Sequence, residues 1–359
     1  MTPLEELARA RIAADGPMPL ADYMALCLGH PEHGYYMTRP AIGAEGDFTT
    51  APEVSQMFGE IVGAWLAHAW QLAGSPDPVN LVELGPGRGT LAADILRTFR
   101  VLPELSRALR VHLVETSPPM RAAQKERLGE THYLSWHDSL GDVPDGPMLL
   151  VANEFFDALP IRQFVRRAEG WRERCVGLAR DSLALVDGPP AGGHDIPDAL
   201  GDAPEGSIHE TAPLGRAVAG EIGARLARAP GAALVIDYGY QGPACGDTLQ
   251  ALRGRRPADP LESPGEADLT AHVDFAALAG QAAGVGATCH GPITQASFLT
   301  ALGIGVRAER LRRAGASGDD LSQALERLTG AGSMGSLFRI LAITDPAMNT
   351  PPPFDSLAG

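Results

Sequence analysis

Leu81-Val-Glu-Leu-Gly-Pro-Gly-Arg-Gly-Thr90 decides the fold of this chain. Its apolar half belongs to a run from Val79 to Leu84 that reads as a buried strand, and Gly85 to Gly89 read as a tight turn. Leu91-Ala-Ala-Asp-Ile-Leu-Arg97 then has the apolar spacing of a helix packed on a sheet. Glycine opens backbone dihedrals closed to other residues and removes the Cβ atoms that would hold a ligand away. Strand, glycine turn and helix in that order is how an α/β sheet holds a nucleotide-like ligand. The glycines run G-x-G-x-G, with Thr90 where a dinucleotide-binding G-x-G-x-x-G places its third glycine, and Glu83 stands two residues before the first.

An acidic residue followed by G-x-G-x-G resembles motif I of the Rossmann-like methyltransferases. Their ligand, S-adenosylmethionine, is a cation with no phosphate to seat at a helix N-terminus. A dehydrogenase and an ordinary strand-to-helix turn remain the alternatives for this segment alone.

Downstream, strand and helix alternate, which predicts a parallel sheet covered on both faces. Arg110-Val-His-Leu-Val-Glu115 is the second strand, Tyr133 and Leu134 suggest a short third, and Met148-Leu-Leu-Val-Ala152 is the fourth. The alternation then breaks: residues 161–186 have the pattern of antiparallel strands, and residues 187–206 are rich in Gly, Pro and Asp. A helix from Leu214 to Arg228 and the strand Ala233-Leu-Val-Ile-Asp-Tyr238 restore it. The expected fold is therefore a Rossmann-like α/β sheet with an insertion at about 161–230, between its fourth and fifth strands, and an irregular segment at 241–270. Residues 1–75 read as an N-terminal helical segment with a substrate or cofactor loop, and residues 76–359 as the main domain. In the former, Val54 to Leu72 form the strongest helix, with Trp65 and Trp70 as core anchors, and Gly43-Ala-Glu-Gly-Asp-Phe-Thr-Thr-Ala-Pro-Glu53 has the composition of an ordered loop that touches something. The tail from Pro346, with Pro351-Pro-Pro353, is expected to be mobile or loosely docked.

With 359 residues there is ample length for an enzyme core. A formal charge of -15 repels a phosphate backbone over most of the surface, so nucleic acid is not an expected partner. The local cluster Arg162, Arg166, Arg167, Arg172 and Arg174 reads as a solvated hairpin face. Lys125 is the only lysine, which makes a catalytic lysine improbable. Cys27, Cys175, Cys245 and Cys289 are widely spread, with no zinc-ligand spacing, and read as reduced thiols with no metal site. Met1-Thr-Pro-Leu-Glu-Glu-Leu7 lacks the features of a secretory signal or a mitochondrial presequence. Apolar stretches fall short of the roughly 20 residues that span a bilayer. The expectation is a cytoplasmic protein without membrane insertion.

Ligands of open α/β sheets lie beyond the carboxyl ends of the strands, so acids at those ends are candidates. Glu115 can accept hydrogen bonds from both hydroxyls of a ribose, and Asp138 from an adenine amino group; a charged strand end and a solvated loop acid are their ordinary alternatives. Asp237 can serve substrate binding or a turn. Asn153-Glu-Phe-Phe-Asp-Ala-Leu-Pro160 is the second strong segment, with two carboxylates, Glu154 and Asp157, flanking two aromatics at the end of an apolar strand. Against a guanidinium acceptor, whose pKa exceeds about 12, such carboxylates hold one nitrogen's lone pair in line with a methyl group. The alternative is that Asp157 caps a turn before Pro160. His272, with acids on both sides, is either a general base or the neighbour of an Asp274 helix cap.

Several segments together resemble the MidA-like S-adenosylmethionine-dependent methyltransferases. They are His30-Pro-Glu-His-Gly-Tyr-Tyr36, Gly46 to Glu60, Glu83 to Thr90, Asn153 to Pro160, Asp237-Tyr-Gly239, Gly246-Asp-Thr-Leu-Gln250 and Gly265 to Phe275. The resemblance implies a class I methyltransferase fold, S-adenosylmethionine as cofactor and a protein arginine as acceptor, since a mitochondrial member that assists respiratory complex I assembly methylates an arginine. The residue readings and the resemblance together point to cofactor binding by Glu83, Gly85, Gly87, Gly89, Glu115, Asp138 and Asn153, and to substrate orientation by Glu154 with Asp157. A cofactor-binding assembly chaperone without transfer activity and a small-molecule methyltransferase are the rival readings.

Overall fold

Apolar runs that bury both faces pair into the centre of a sheet, and this chain builds its main sheet that way. The structure, a computed structural model, describes residues 1–38, 49–129, 131 and 133–357. Its main sheet uses β1 (Val79–Leu84), β2 (Leu109–Val114), β3 (Leu134–His137), β4 (Met148–Asn153), β5 (Gly231–Tyr240), β6 (Thr288–Thr294) and β7 (Phe338–Thr344). They lie in the order β3-β2-β1-β4-β5-β7-β6, with the short strand Val273–Asp274 beside the end of β5. β1 to β5 are parallel, whereas β7 runs antiparallel to both β5 and β6.

Every residue of β1 and β4 is buried, which suits the two central strands. Alternation sends Leu81, Leu149 and Val151 into one core, with helices Gln56–Leu72 and Thr90–Phe99. Val82, Leu84 and Leu150 enter the other, under helices Pro213–Leu226 and Phe275–Gly284. Each such side chain contributes roughly 1.5–3 kcal/mol by burial. Strand direction puts the carboxyl ends of β1, β2, β4 and β5 together on one edge, where the candidate residues fall.

The insertion after β4 forms antiparallel strands Arg162–Arg167, Gly170–Ala179, Ser182–Pro190 and Ile208–Thr211. Met18 and Pro19, from the N-terminal segment, add to its edge by pairing with Val176 and Cys175. Helices Pro3–Asp15 and Leu20–Gly29 share a third core with Val176 of the insertion and with Leu269. The segment read as irregular holds a small sheet of Gln250–Arg253, Arg256–Ala258 and Asp268–Thr270.

Two expectations need correction. The helix read from Val54 begins at Gln56, because Ser55 is its N-cap and accepts the Met57 N–H at 3.2 Å, leaving Ala51–Val54 as a separate turn. The tail is docked: Trp65 Nε1 donates to the Pro352 carbonyl at 2.8 Å, and Phe354 is buried against Trp65 and Phe298. Among the described residues no helix is long and apolar enough to cross a membrane.

Candidate active site

The chain leaves β1 through three left-handed glycines, Gly85, Gly87 and Gly89, with φ of 61°, 51° and 76°. An L-residue costs roughly 1–2 kcal/mol in that conformation. A Cβ on Gly85 would lie 2.9 Å from Cδ2 of Phe155, so this position excludes a side chain by contact as well as by dihedral. Gly85 N–H is fixed to the Val114 carbonyl (3.0 Å), and Gln124 Nε2 donates to the Gly87 carbonyl (2.7 Å). Gly89 precedes helix Thr90–Phe99 as its cap residue.

A cleft opens over this turn, lined by Glu53, Glu83, Gly85, Gly87, Asn153 and Glu154 among others. Two polar atoms here are buried without partners among the described residues, Glu83 Oε2 and Asn153 Oδ1. Burial, with the nearby Glu115 charge, pushes the Glu83 carboxyl up to about 8, against a hydrogen bond from the Ala92 N–H. A buried carboxyl in that state gains from an arriving cation or donor. Glu53 accepts from the Thr90 hydroxyl and ties the N-terminal segment to the turn.

Glu115 sits one residue past β2 and outside the lining of this cleft. Ser117 N–H donates to one of its oxygens (2.8 Å) and Gln124 Nε2 to the other (3.2 Å); burial raises its carboxyl. Asp138 is exposed and also outside the lining, paired with Arg121 at 2.6 Å. Arg121 further donates to the Glu115 and His137 carbonyls, so it binds the ends of β2 and β3 together.

Glu154 follows β4 with φ of 51°. Its N–H donates to the Ile236 carbonyl (2.9 Å), and its Oε1 accepts from Ala51 N–H (3.1 Å) and Asn153 Nδ2 (3.3 Å). Burial and then Asp157 push the Glu154 carboxyl up to about 8. Asp157 is itself raised by burial, against a hydrogen bond with the Tyr238 hydroxyl. Asp237, fully buried, accepts from the N–H groups of Phe156 (3.0 Å), Asp157 (3.2 Å) and Tyr238 (2.9 Å), and burial and then Asp157 hold its carboxyl well above the usual range. Of its two sequence readings, this is the turn: Asp237 clamps the backbone that presents Glu154 and Asp157. Asp274 caps helix Phe275–Gly284 by accepting from Ala276 and Ala277 N–H, and His272 packs edge-on against Tyr238.

The fold thus gathers Glu83, Gly85, Gly87, Asn153 and Glu154 in one cleft, keeps Glu115 beside it and leaves Asp138 at the periphery. Sequence reasoning passed over Glu53 and Tyr238 as site residues. Glu53 closes the polar loop already singled out, of which residues 43–48 lie outside the described residues. Tyr238 falls within the matching segment Asp237-Tyr-Gly239, which marks the position without giving it a role. Tyr36 is a further one, donating to Asp268 (2.8 Å) while its carbonyl accepts from Ser117 Oγ (2.6 Å).

These features fit S-adenosylmethionine: a glycine cradle without side chains, and a buried carboxyl oxygen, unpartnered among the described residues, facing the place of a cationic ligand. The signature of a family described as S-adenosyl-L-methionine-dependent methyltransferase matches residues 61–293. The mitochondrial protein arginine methyltransferase NDUFAF7 of Danio rerio is 37% identical over 376 residues, covering 96% of this chain and 87% of that protein. Its Homo sapiens counterpart is 36% identical over 373 residues, covering 96% and 83%. A crystal structure of a protein from Burkholderia thailandensis bound to S-adenosyl-homocysteine superposes with a TM-score of 0.85 at 30% identity, covering 97% of this chain and 92% of that one. This chain belongs to the S-adenosyl-L-methionine-dependent methyltransferases.

Proposed function

We propose that the methyl acceptor is an arginine of a protein partner, with a respiratory-complex subunit as first candidate. The observation that carries this reading is the crowding of Glu154, Asp157 and Asp237, whose carboxyls are all raised by burial, those of Glu154 and Asp237 also by the Asp157 charge. A guanidinium keeps its charge at any working pH, and its planar donors match carboxylates. Arriving beside Glu154, it stabilises the ionised carboxylate, which in return fixes the orientation of the attacking nitrogen. Asp157, steadied by Tyr238 and Asp237, is placed to assist. The relatives' name, protein arginine methyltransferase, agrees with this acceptor.

In the same reading Gly85, Gly87 and Gly89 admit the cofactor to the backbone, and Glu83 and Asn153 take its methionine end. Glu115 takes the ribose hydroxyls and Asp138 the adenine amino group. When bound, S-adenosylmethionine supplies an electrophilic methyl group on a sulfonium. Holding two reactants in line is worth up to roughly 7–11 kcal/mol, the largest contribution these residues can make. We place the protein in the cytoplasm, where its four free cysteines stay reduced.

Mass spectrometry of respiratory-complex subunits from cells with and without the gene tests the reading. A methylarginine that disappears with the gene and returns with the parent protein supports it. If complex assembly is restored equally by the Glu154→Gln protein, the chain acts as a chaperone and the arginine reading fails.

A further inference from the structure

A second cavity, of about 420 Å³, opens between the insertion and the helices that cover the sheet. Its volume lies within the roughly 300–1,000 Å³ of pockets that take ligands. It shares no lining residue with the glycine-turn cleft. The two are nevertheless back to back across the Glu154–Asp157 segment. Phe155 lies against Gly85 of the cofactor turn, while Phe156, with its ring at 89° to that of Phe155, lines the second cavity. His272, also in the wall, packs edge-on against Tyr238, whose hydroxyl meets Asp157. The neighbouring wall residue Ala271 donates its N–H to the Asp157 carbonyl at 2.9 Å. One side of this cavity is therefore the reverse side of the segment that presents the two carboxylates.

We infer that this cavity receives the stretch of the acceptor protein flanking the modified arginine. The inference rests on the arginine reading above and deepens it. An arginine that reaches Glu154 arrives on a polypeptide, and the chain beside it needs a recess with both apolar walls and hydrogen-bond donors. The carboxylates of the wall are held in place by hydrogen bonds, and of the three Asp195 alone is ion-paired among the described residues. Glu210 accepts from Gln163 Nε2 (2.6 Å) and Thr248 N–H (3.0 Å), Asp195 pairs with Arg162 (2.7 Å), and Asp274 caps its helix. Arg216, exposed at the rim, makes no ion pair among the described residues. Glu210 and Asp274 are satisfied by uncharged donors and keep their charge, and the charge of Arg216 is already spent, at longer range, on Asp274, so the wall is acidic on balance and suits a polypeptide with a basic side chain near the target arginine.

Filling and recharging the cavity test this. Arginine-centred peptides with varied flanks, and N-acetyl-arginine amide as a minimal acceptor, are assayed with labelled S-adenosylmethionine on the parent, Ala277→Trp and Arg216→Glu proteins. Ala277 is half-buried and lines the cavity, so tryptophan there occupies it from a helix surface and not from the core. The preference for the best peptide over the minimal acceptor, expressed as kcat/KM, is expected to fall roughly tenfold in Ala277→Trp through a higher peptide KM. Arg216→Glu is expected to deepen a preference for basic flanks. It needs no core rearrangement, and so stands if the tryptophan variant does not fold. Parent activity on peptides with unchanged preferences in the folded variants overturns the cavity assignment alone. A parent that methylates neither peptides nor the minimal acceptor overturns the arginine reading and this inference with it.

Discussion

Gly85 and Glu154 occupy equivalent places in the fold. Each is the first residue after its strand, β1 or β4, each is left-handed, with φ of 61° and 51°, and each donates its N–H to a carbonyl of the next strand over, Val114 or Ile236. At the first place the residue is glycine, and the conformation costs no steric strain. At the second it is glutamate, which bears roughly 1–2 kcal/mol for the same geometry. The turn after β1 needs an absence, because the ligand must approach the backbone. The turn after β4 needs a carboxylate at one spot, and the fold tolerates strain to set it there.

The largest test of this contrast is Glu154→Gln, which keeps size and removes charge. Methyl transfer is expected to fall by about 10² or more, the scale of losing one preorganised electrostatic contact. Calorimetry with S-adenosylhomocysteine is expected to show affinity within a few fold of the parent. A loss of cofactor affinity comparable to the loss of rate would mean that the two turns serve one ligand and not two.

Gly85→Ala addresses the other side. Its Cβ meets Phe155 and forces a strained dihedral, so cofactor affinity is expected to drop about tenfold, with about 1–2 kcal/mol of stability lost in thermal melts. Unchanged affinity in a folded variant removes the cradle assignment.

Titration probes what the two places share. Glu83 and Glu154 have carboxyls raised from an ordinary 4.5 to about 8. A raised carboxyl contributes stability that is fully present below the unfolded value and is lost as pH rises through the folded one. The free protein is therefore expected to lose melting temperature between about pH 4.5 and 8, less steeply in Glu83→Gln and in Glu154→Gln. If S-adenosylmethionine places its amine by Glu83, its affinity rises over the same window in Glu154→Gln but not in Glu83→Gln. A melting temperature flat across that window contradicts the buried state of both groups.

Glu154→Gly releases the strain directly, and is expected to raise stability by about 1 kcal/mol while abolishing the acceptor role. A destabilised variant would show that the hydrogen bond from Ala51 outweighs the dihedral. Asp138→Ala has the smallest expected effect. An exposed pair with Arg121 is worth about 0–1 kcal/mol, so the free protein barely changes, and a fewfold loss of cofactor affinity measures whatever contact Asp138 makes with adenine.

What the sequence discloses follows the same division. Glycine spacing encodes backbone dihedrals locally, so the Gly85–Gly89 turn and the flanking strands are readable from a few residues. Apolar runs encode burial on both faces, which is why β4 and β5 are legible to within a residue or two. The partners of Glu154 are not local. Ala51, Asp237 and Tyr238 reach it or its neighbours across large separations in sequence, and no pattern in any one segment records that they meet. The tail misled for a related reason: Pro351-Pro-Pro353 has the composition of a loose end, while its anchor, the Trp65 indole, sits in a helix near the other end of the chain.

The third core has a consequence for how the molecule is made. Helix Leu20–Gly29 buries six residues, yet the groups that cover it and the residues before it come much later: Val176 lies opposite Met18, and the Pro260 and Pro264 carbonyls accept from Tyr23 and Thr2. On the ribosome this amphipathic segment emerges well before its cover and stays uncovered until the insertion and the residues around 260–270 have been synthesised. Its apolar face is then a surface for holding chaperones, and a stalled or truncated chain exposes it permanently. The order of translation runs opposite to the order in which this part of the molecule can be completed.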